Sequence, residues 1–216
     1  HRVHRRQRQM CIRDRCNKAL TYLGAEHFTA FTDGSPAATA CNAFYKEVKL
    51  STFGMYPWSF TLAKKELVRD ANTPQNEWTY QYLLPNDMMS NVPRAVRASK
   101  LPGGVLQTGN WEMGQATGGY QVLMTDLTEV HIDYQRTISE GAMPTYFVQL
   151  LAYQLAWHLA ETITDQVTKA QYWRTVALGT EAESGRGGYF RQAANMDAGG
   201  QSPSVIGQYM LTDVRA

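Results

Sequence analysis

A chain of 216 residues, 44% hydrophobic, 11% aromatic and 19% charged, is long enough for one domain with a real core and has the composition of a globular protein. Its three cysteines, Cys11, Cys16 and Cys41, form no CxxC pair and match no histidine spacing, so neither a disulfide framework nor a zinc site is indicated, and reduced cytosolic thiols are expected. The formal charge of +2 sits at one end: six of the 21 basic residues fall in the first fifteen positions, and the remainder carries 15 basic and 18 acidic residues, a net of −3, which argues against a basic nucleic-acid-binding body.

Residues 1–15, HRVHRRQRQMCIRDR, have almost no apolar periodicity, and a basic arm or a transit peptide would share their composition. The string RQMCIRDR resembles the translation of a sequencing-library adapter. The segment is therefore expected to be non-native and to take no part in the fold, with the native start missing and the first helix cut short.

From Cys16 onward, Asn17, Leu20, Leu23 and Gly24 predict the end of an amphipathic helix stopped by a glycine at its C-terminal cap. After a polar loop, Ser35 offers an N-cap oxygen before Pro36. The run Ala37–Phe53 has apolar residues at spacings of three and four, predicting a second helix that ends near Gly54 to Pro57. Residues 61–77 read as a connector with a loop at Asp70 to Pro74. In Trp78, Tyr80, Tyr82 and Leu84 large residues alternate with polar ones, predicting a half-buried strand that stops at Pro85. Residues 86–119 are rich in Pro, Gly, Asn and Met, with weak strand signals at Ala95–Leu101 and Val105–Gln107. Tyr120–Thr125 and Val130–Tyr134 alternate again across Asp126–Thr128, which predicts a hairpin.

Pro144–Thr162 is the most informative stretch. Its apolar residues cover most of a helical circumference, as in a core helix buried on nearly all sides, and Ala152, Ala156 and Ala160 form a ridge of small side chains for a close helix neighbour. A membrane span is the competing reading, but Gln149, Gln154 and His158 interrupt the roughly 20 apolar residues that a span needs. Thr164 or Asp165 then caps a further helix, about 166–183. Residues 184–216 are rich in Gly, Ser and Gln, and read as a flexible arm with a late apolar cluster, Val205, Ile206, Tyr209, Met210 and Leu211, as the candidate interface.

The fold class is thus α+β, mainly α: a helical bundle over residues 16–183 with an inserted small antiparallel β element at about 78–135 and an extended C-terminal tail. No P-loop, GxGxxG, GxSxG or HExxH occurs, and no catalytic, cofactor or metal residues are assigned. His131 and Asp133, two apart on a strand, share a face and could share a metal or a proton, although a solvated sheet face is the commoner reason for such a pair. His158 reads as a hydrogen-bonded bundle histidine. Glu161, Asp165, Glu181 and Glu183 fit helix ends better than paired acid-base chemistry. Aromatics interleave with Lys and Arg only faintly, around Lys64 to Arg69, so single-strand binding is not favoured.

The order of these motifs resembles the head-to-tail adaptor family of short-tailed bacteriophages, also called tail tubular protein A. The carrying residues are Asn17, Leu20, Leu23 and Gly24; the helix Ala37–Phe53 leading into Pro57-Trp58-Ser59-Phe60; Leu84-Pro85-Asn86-Asp87; the strand pair from Tyr120 through Asp126 to Tyr134; and Phe147, Leu151, Ala152, Leu155, Ala156, Leu159, Ala160, Ile163 and Thr164. Each is a general core or turn pattern, and their order and spacing carry the resemblance. It implies a structural virion protein at the neck, assembled in the host cytoplasm as a ring of twelve copies. The ring binds the portal protein above and the tail nozzle protein (tail tubular protein B) below, offers a platform for tail fibres, and extends the channel through which genomic DNA passes without sequence recognition. It implies no catalysis, no cofactor and no membrane. An acidic or neutral wall suits a DNA conduit, because a basic one would hold phosphates. A stopper or completion connector of a long-tailed phage is the nearest alternative. A small hydrolase or nucleic-acid-binding module is the alternative from another class.

Overall fold

A computed structural model describes residues 2–90, 92–98 and 110–199. Helix α1 spans Arg2–Leu23, α2 Pro36–Gly54, α3 Thr145–Thr164, α4 Val167–Leu178 and α5 Gly188–Ala198; strands β1 (Leu62–Glu66), β2 (Val68–Arg69), β3 (Tyr80–Leu83), β4 (Ala95–Arg97), β5 (Trp111–Gln115), β6 (Gln121–Thr125) and β7 (His131–Gln135) lie between α2 and α3. The class is α+β, mainly α, as expected.

Helix α3 is the axis. From Tyr146 to Ala160 no residue is exposed, and Phe147, Leu150, Leu151, Ala152, Leu155, Ala156, Leu159 and Ala160 have no accessible surface. The other four helices all pack on it. Each presents a short apolar face: Cys16, Ala19, Leu20 and Leu23 from α1, Ala38, Cys41, Tyr45 and Val48 from α2, Ala177 from α4, and Phe190 and Ala193 from α5. Among the described residues no helix is long and apolar enough to cross a membrane.

The helix ends follow local chemistry. Gly24, at φ 68°, closes α1, with the Ala25 amide returning to the Leu20 carbonyl at 3.0 Å, and the Asn17 side chain staples the following loop by bonding both backbone groups of Phe28. Ser35 Oγ accepts from the Ala38 amide at 3.2 Å, with Pro36 in the first turn of α2. The junction of α3 and α4 departs from expectation. Asp165 is the left-handed C-cap of α3, Thr164 Oγ1 donates back to the Ala160 carbonyl, and Gln166 opens α4 without a side-chain cap bond. Helix α4 stops at Leu178 because Gly179 takes a positive φ of 82°.

The β element starts at Leu62, not near residue 78. The run from Leu62 to Arg69 crosses two sheets: its first half, β1, pairs with β7 in a three-stranded sheet ordered β1-β7-β4, and its second half, β2, pairs with β3 in a four-stranded sheet ordered β2-β3-β6-β5. All ladders are antiparallel. The sheets share a small core of Leu67, Tyr82, Val96, Leu123, Val130, Ile132 and Tyr134.

The expected strands at Tyr120–Thr125 and Val130–Tyr134 form, but they do not pair with each other. The link between them is pulled apart: the Asp126 carboxylate accepts from the Thr79 amide and hydroxyl, the Leu127 carbonyl accepts from Tyr82 Oη, and the Val130 carbonyl accepts from the Leu67 amide. Strand β6 therefore stays in one sheet and β7 enters the other. The hairpin is β5–β6, closed by a turn in which Gly119 has φ 79° and its amide bonds the Ala116 carbonyl. The weak strand signal at residues 95–101 materialises as β4; the one at residues 105–107 lies outside the described residues.

Two further expectations are corrected. Residues 1–15 were excluded from the fold, yet α1 runs through this segment, Ile12 packs on the bundle, and Arg15 is buried, donating to Tyr45 Oη at 3.0 Å and to the Glu140 carbonyl. Glu140, itself buried, pairs with Lys49 at 2.9 Å. The arm beginning at residue 184 is not wholly flexible, because Gly188–Ala198 forms α5 and buries Phe190, Ala193 and Asp197.

Helix α5 docks on the elbow where α2 gives way to β1. Trp58, fully buried, donates its indole N–H to the Thr52 carbonyl at 3.1 Å and meets Phe147 edge-on at 5.2 Å and Phe190 at 6.1 Å. The buried Asp197 carboxylate accepts from the Ser59 amide (2.7 Å), Ser59 Oγ (2.8 Å) and Tyr146 Oη (2.6 Å). One carboxylate thus joins α5, the elbow and α3.

Two substitutions test this packing. Ala156→Leu inserts three carbons into a site with no accessible surface and is expected to cost about 1 to 3 kcal/mol by overpacking, measured by urea unfolding; parental stability would put the ridge on the surface. Asp197→Ala strands one amide and two hydroxyls, all partly buried. It is expected to cost about 2 to 4 kcal/mol and to speed hydrogen exchange in α5 before the rest of the bundle, whereas uniform exchange would show that the clamp does not hold α5.

Candidate functional site

Strand β7 is central in its sheet, so residues from both neighbours flank its side chains. On the inner face Ile132 and Tyr134 are buried; on the outer face lie His131, Asp133 and Gln135. The register places Glu66 of β1 and Arg97 of β4 opposite His131, and Lys64 and Ala95 opposite Asp133. Opposed residues share a face, so Glu66, His131 and Arg97 form a row across the sheet.

The pair His131 and Asp133 does share the outer face but does not act together. Asp133 is bound to Arg97 at 2.5 Å, while His131 Nε2 meets Glu129 Oε1 at 2.5 Å. Glu66 completes a group in which one ligand atom from each of Glu66, Glu129 and His131 lies within 4.8 Å of the others. His131 is mostly covered and Glu129 about half exposed. Three ionisable groups of metal-ligating type thus converge at the open edge of β1, where solvent has access. The sequence could not reveal this grouping, because Glu66 lies 65 positions before His131 and only the β1–β7 register brings them together.

A concavity of about 760 Å³ opens elsewhere on the β element between β2, the end of β3 and Tyr120. Its floor is apolar, with Leu67, Val68, Leu83, Leu84, Pro85 and Met88, and its polar rim includes Asp70, which accepts from Tyr120 Oη at 2.5 Å and from Gln81 at 2.8 Å. These bonds hold the Asp70 carboxyl below its ordinary range and raise the Tyr120 phenol. Asp70 is thereby committed to structure, and the groove presents an apolar contact surface with Val68 and Leu83 exposed.

Several of the other titratable residues have structural partners. Glu183 closes a capping box with Thr180 and pairs with Arg191 at 2.6 Å, bonds that hold its pKa low. Glu181 is exposed, 4.0 Å from Arg174, and Asp165 caps α3. Glu161 lies exposed near the end of α3. Cys11, Cys16 and Cys41 are free thiols; Cys16 and Cys41 are buried, and the neighbouring Cys41 thiol together with burial pushes the Cys16 thiol far up. Val205, Ile206, Tyr209, Met210 and Leu211, the expected interface, lie outside the described residues.

No family model matches the chain, and comparison with curated proteins gives no match.

His158 lies half-buried on α3, with its ring against Trp157 (4.2 Å) and Phe44 (6.4 Å). Burial lowers its pKa below the ordinary 6.5, and the Glu47 charge offsets part of that shift. Between the folded pKa and 6.5 the unfolded chain binds a proton that the folded one does not, so the contribution of His158 to stability is complete above 6.5 and declines as pH falls through that window. His158→Gln is expected to lose less melting temperature than the parent between pH 7.5 and pH 5.5. An equal loss in both would show that His158 is solvated.

Proposed function

We propose that this protein is a structural virion component, a head-to-tail adaptor that forms a ring between portal and tail nozzle and extends the DNA channel at the virion neck. The observation that carries the reading is one of order. A bundle built around α3 holds its β element between α2 and α3, at the elbow marked by Pro57-Trp58-Ser59-Phe60, in the sequence of motifs by which the chain resembles the adaptor family.

Other features support it. A subunit of a ring needs contact surface on more than one side. Here Val68 and Leu83 are exposed on the β element, and Val167 and Tyr172 on α4, beside an aromatic stack of Tyr22, Tyr153 and Trp173. The body beyond residue 15 is mildly acidic, which suits a wall past which DNA must slide. At the rim of the large concavity the Asp70 carboxylate accepts from Tyr120 Oη and from Gln81, so it is engaged in holding the β element. The ring assembles in the host cytoplasm, and the portal, the nozzle protein and further copies of the chain are its partners, with tail fibres as a further attachment.

The test is co-assembly with the portal protein encoded beside its gene, measured by multi-angle light scattering. A complex heavier than the portal by about a dozen chains is expected, since multivalent contacts in a closed ring multiply modest single affinities. A chain truncated after Gly200, lacking Val205, Ile206, Tyr209, Met210 and Leu211, is expected to remain folded and to fail to join stably. Absence of any complex with the intact chain would overturn the reading; equal complexes with both chains would remove the C-terminal cluster from it.

A further inference from the structure

We infer that Glu66, Glu129 and His131 form a binding site for a divalent transition-metal ion of the Zn²⁺ type, with open coordination positions facing solvent. The inference stands apart from the adaptor reading and departs from the expectation, drawn from sequence spacing, that the chain holds no metal site. It rests on three side chains from two segments of the chain, each offering one ligand atom, all within 4.8 Å of one another.

The scaffold fixes two of the three. His131 is held on the central strand by ladders to β1 and β4, and Glu66 stands directly opposite on β1. Glu129 precedes β7 by two residues, at the point where the Val130 carbonyl is pinned by the Leu67 amide. The His131 ring is only about 13% exposed, so its rotamer is restricted, while Glu66 and Glu129 reach in from the exposed side.

The short contact between Nε2 and Glu129 has room for one proton. A divalent ion competes for that place: with metal–nitrogen and metal–oxygen bonds of about 2.0 to 2.2 Å, tetrahedral ligand atoms sit roughly 3.3 Å apart. The two groups therefore open slightly while Glu66 closes in, movements that exposed carboxylates can make. One imidazole with two carboxylates favours borderline ions such as Zn²⁺ over Mg²⁺ or Ca²⁺, which prefer all-oxygen sites. The two cations on the same face do not forbid it. Arg97 is bonded to Asp133, and Lys64 stands opposite the same carboxylate. Three protein ligands leave at least one position for water or for a side chain from another copy, as in metal sites that are not purely structural.

The full chain, prepared without a polyhistidine tag and carrying His1→Ala and His4→Ala so that terminal imidazoles do not contribute, is titrated with ZnCl₂ by calorimetry. Co²⁺ absorption in the visible range reports the coordination. One ion per chain is expected. His131→Gln and, separately, Glu66→Gln are each expected to weaken binding by about tenfold or more, since even the loss of a group that only orients a ligand costs that much at metal sites. Glu66 is exposed on an edge strand, so its variant keeps the fold and separates lost ligation from misfolding. His27→Ala, which removes a histidine bonded to Thr21 away from the site, is expected to bind as the parent does. No saturable binding, or binding that survives both ligand substitutions, would reduce the cluster to an imidazole–carboxylate hydrogen bond and overturn the site.

Discussion

A helix with no exposed residue from Tyr146 to Ala160 cannot exist alone in water, and this single requirement organises the protein. Every face of α3 must be covered, so α1, α2, α4 and α5 each supply a short apolar strip and none needs a wide one. Small side chains at Ala152, Ala156 and Ala160 let the covering helices approach closely. The same requirement sets the position of the β element. Its root, at Trp58 and Phe60, is drawn into the α3 core through Phe147 and then locked by Asp197 from α5. A chain segment near the end of the described structure therefore secures an elbow 138 residues before it.

Much of this was legible because it is written in local chemistry. Gly24, Ser35 and Pro36 mark helix ends by backbone geometry and capping, and the apolar coverage of 144–162 needs no partner to be recognised. What was not legible depends on partners. Strand β1 reads as a connector since Lys64, Lys65 and Glu66 decorate an edge strand, where charge guards against further pairing. Strands β6 and β7 look like a hairpin because alternation and a short link are all that a hairpin requires locally; distant ties at Thr79 and Leu67 send them to different sheets. Helix α5 is hidden by glycines on both flanks and by a buried acid, Asp197, whose place in the core is intelligible only once Ser59 and Tyr146 face it. Arg15 is similar: a basic residue in a basic run gives no sign that Tyr45 and Glu140 await it.

The candidate site shows the same division. His131 stands out in the sequence as a histidine on a strand, with two carboxylates, Glu129 and Asp133, each two positions away. Register decides otherwise, giving Asp133 to Arg97 and bringing Glu66 to His131 across the ladder. Exposed apolar residues stand on β2 and α4, on different parts of the molecule, an arrangement that suits the proposed ring subunit.

The adaptor proposal joins these features into one picture: a helical body that supplies rigidity, a β element braced at its root, and outward apolar patches for neighbours. Electron microscopy of single particles formed by the chain with its portal tests it most directly. An adaptor gives closed rings seated coaxially on the portal, with the β element repeated once per subunit around an open channel. Portal rings with no added density, beside free single copies of the chain, would contradict it.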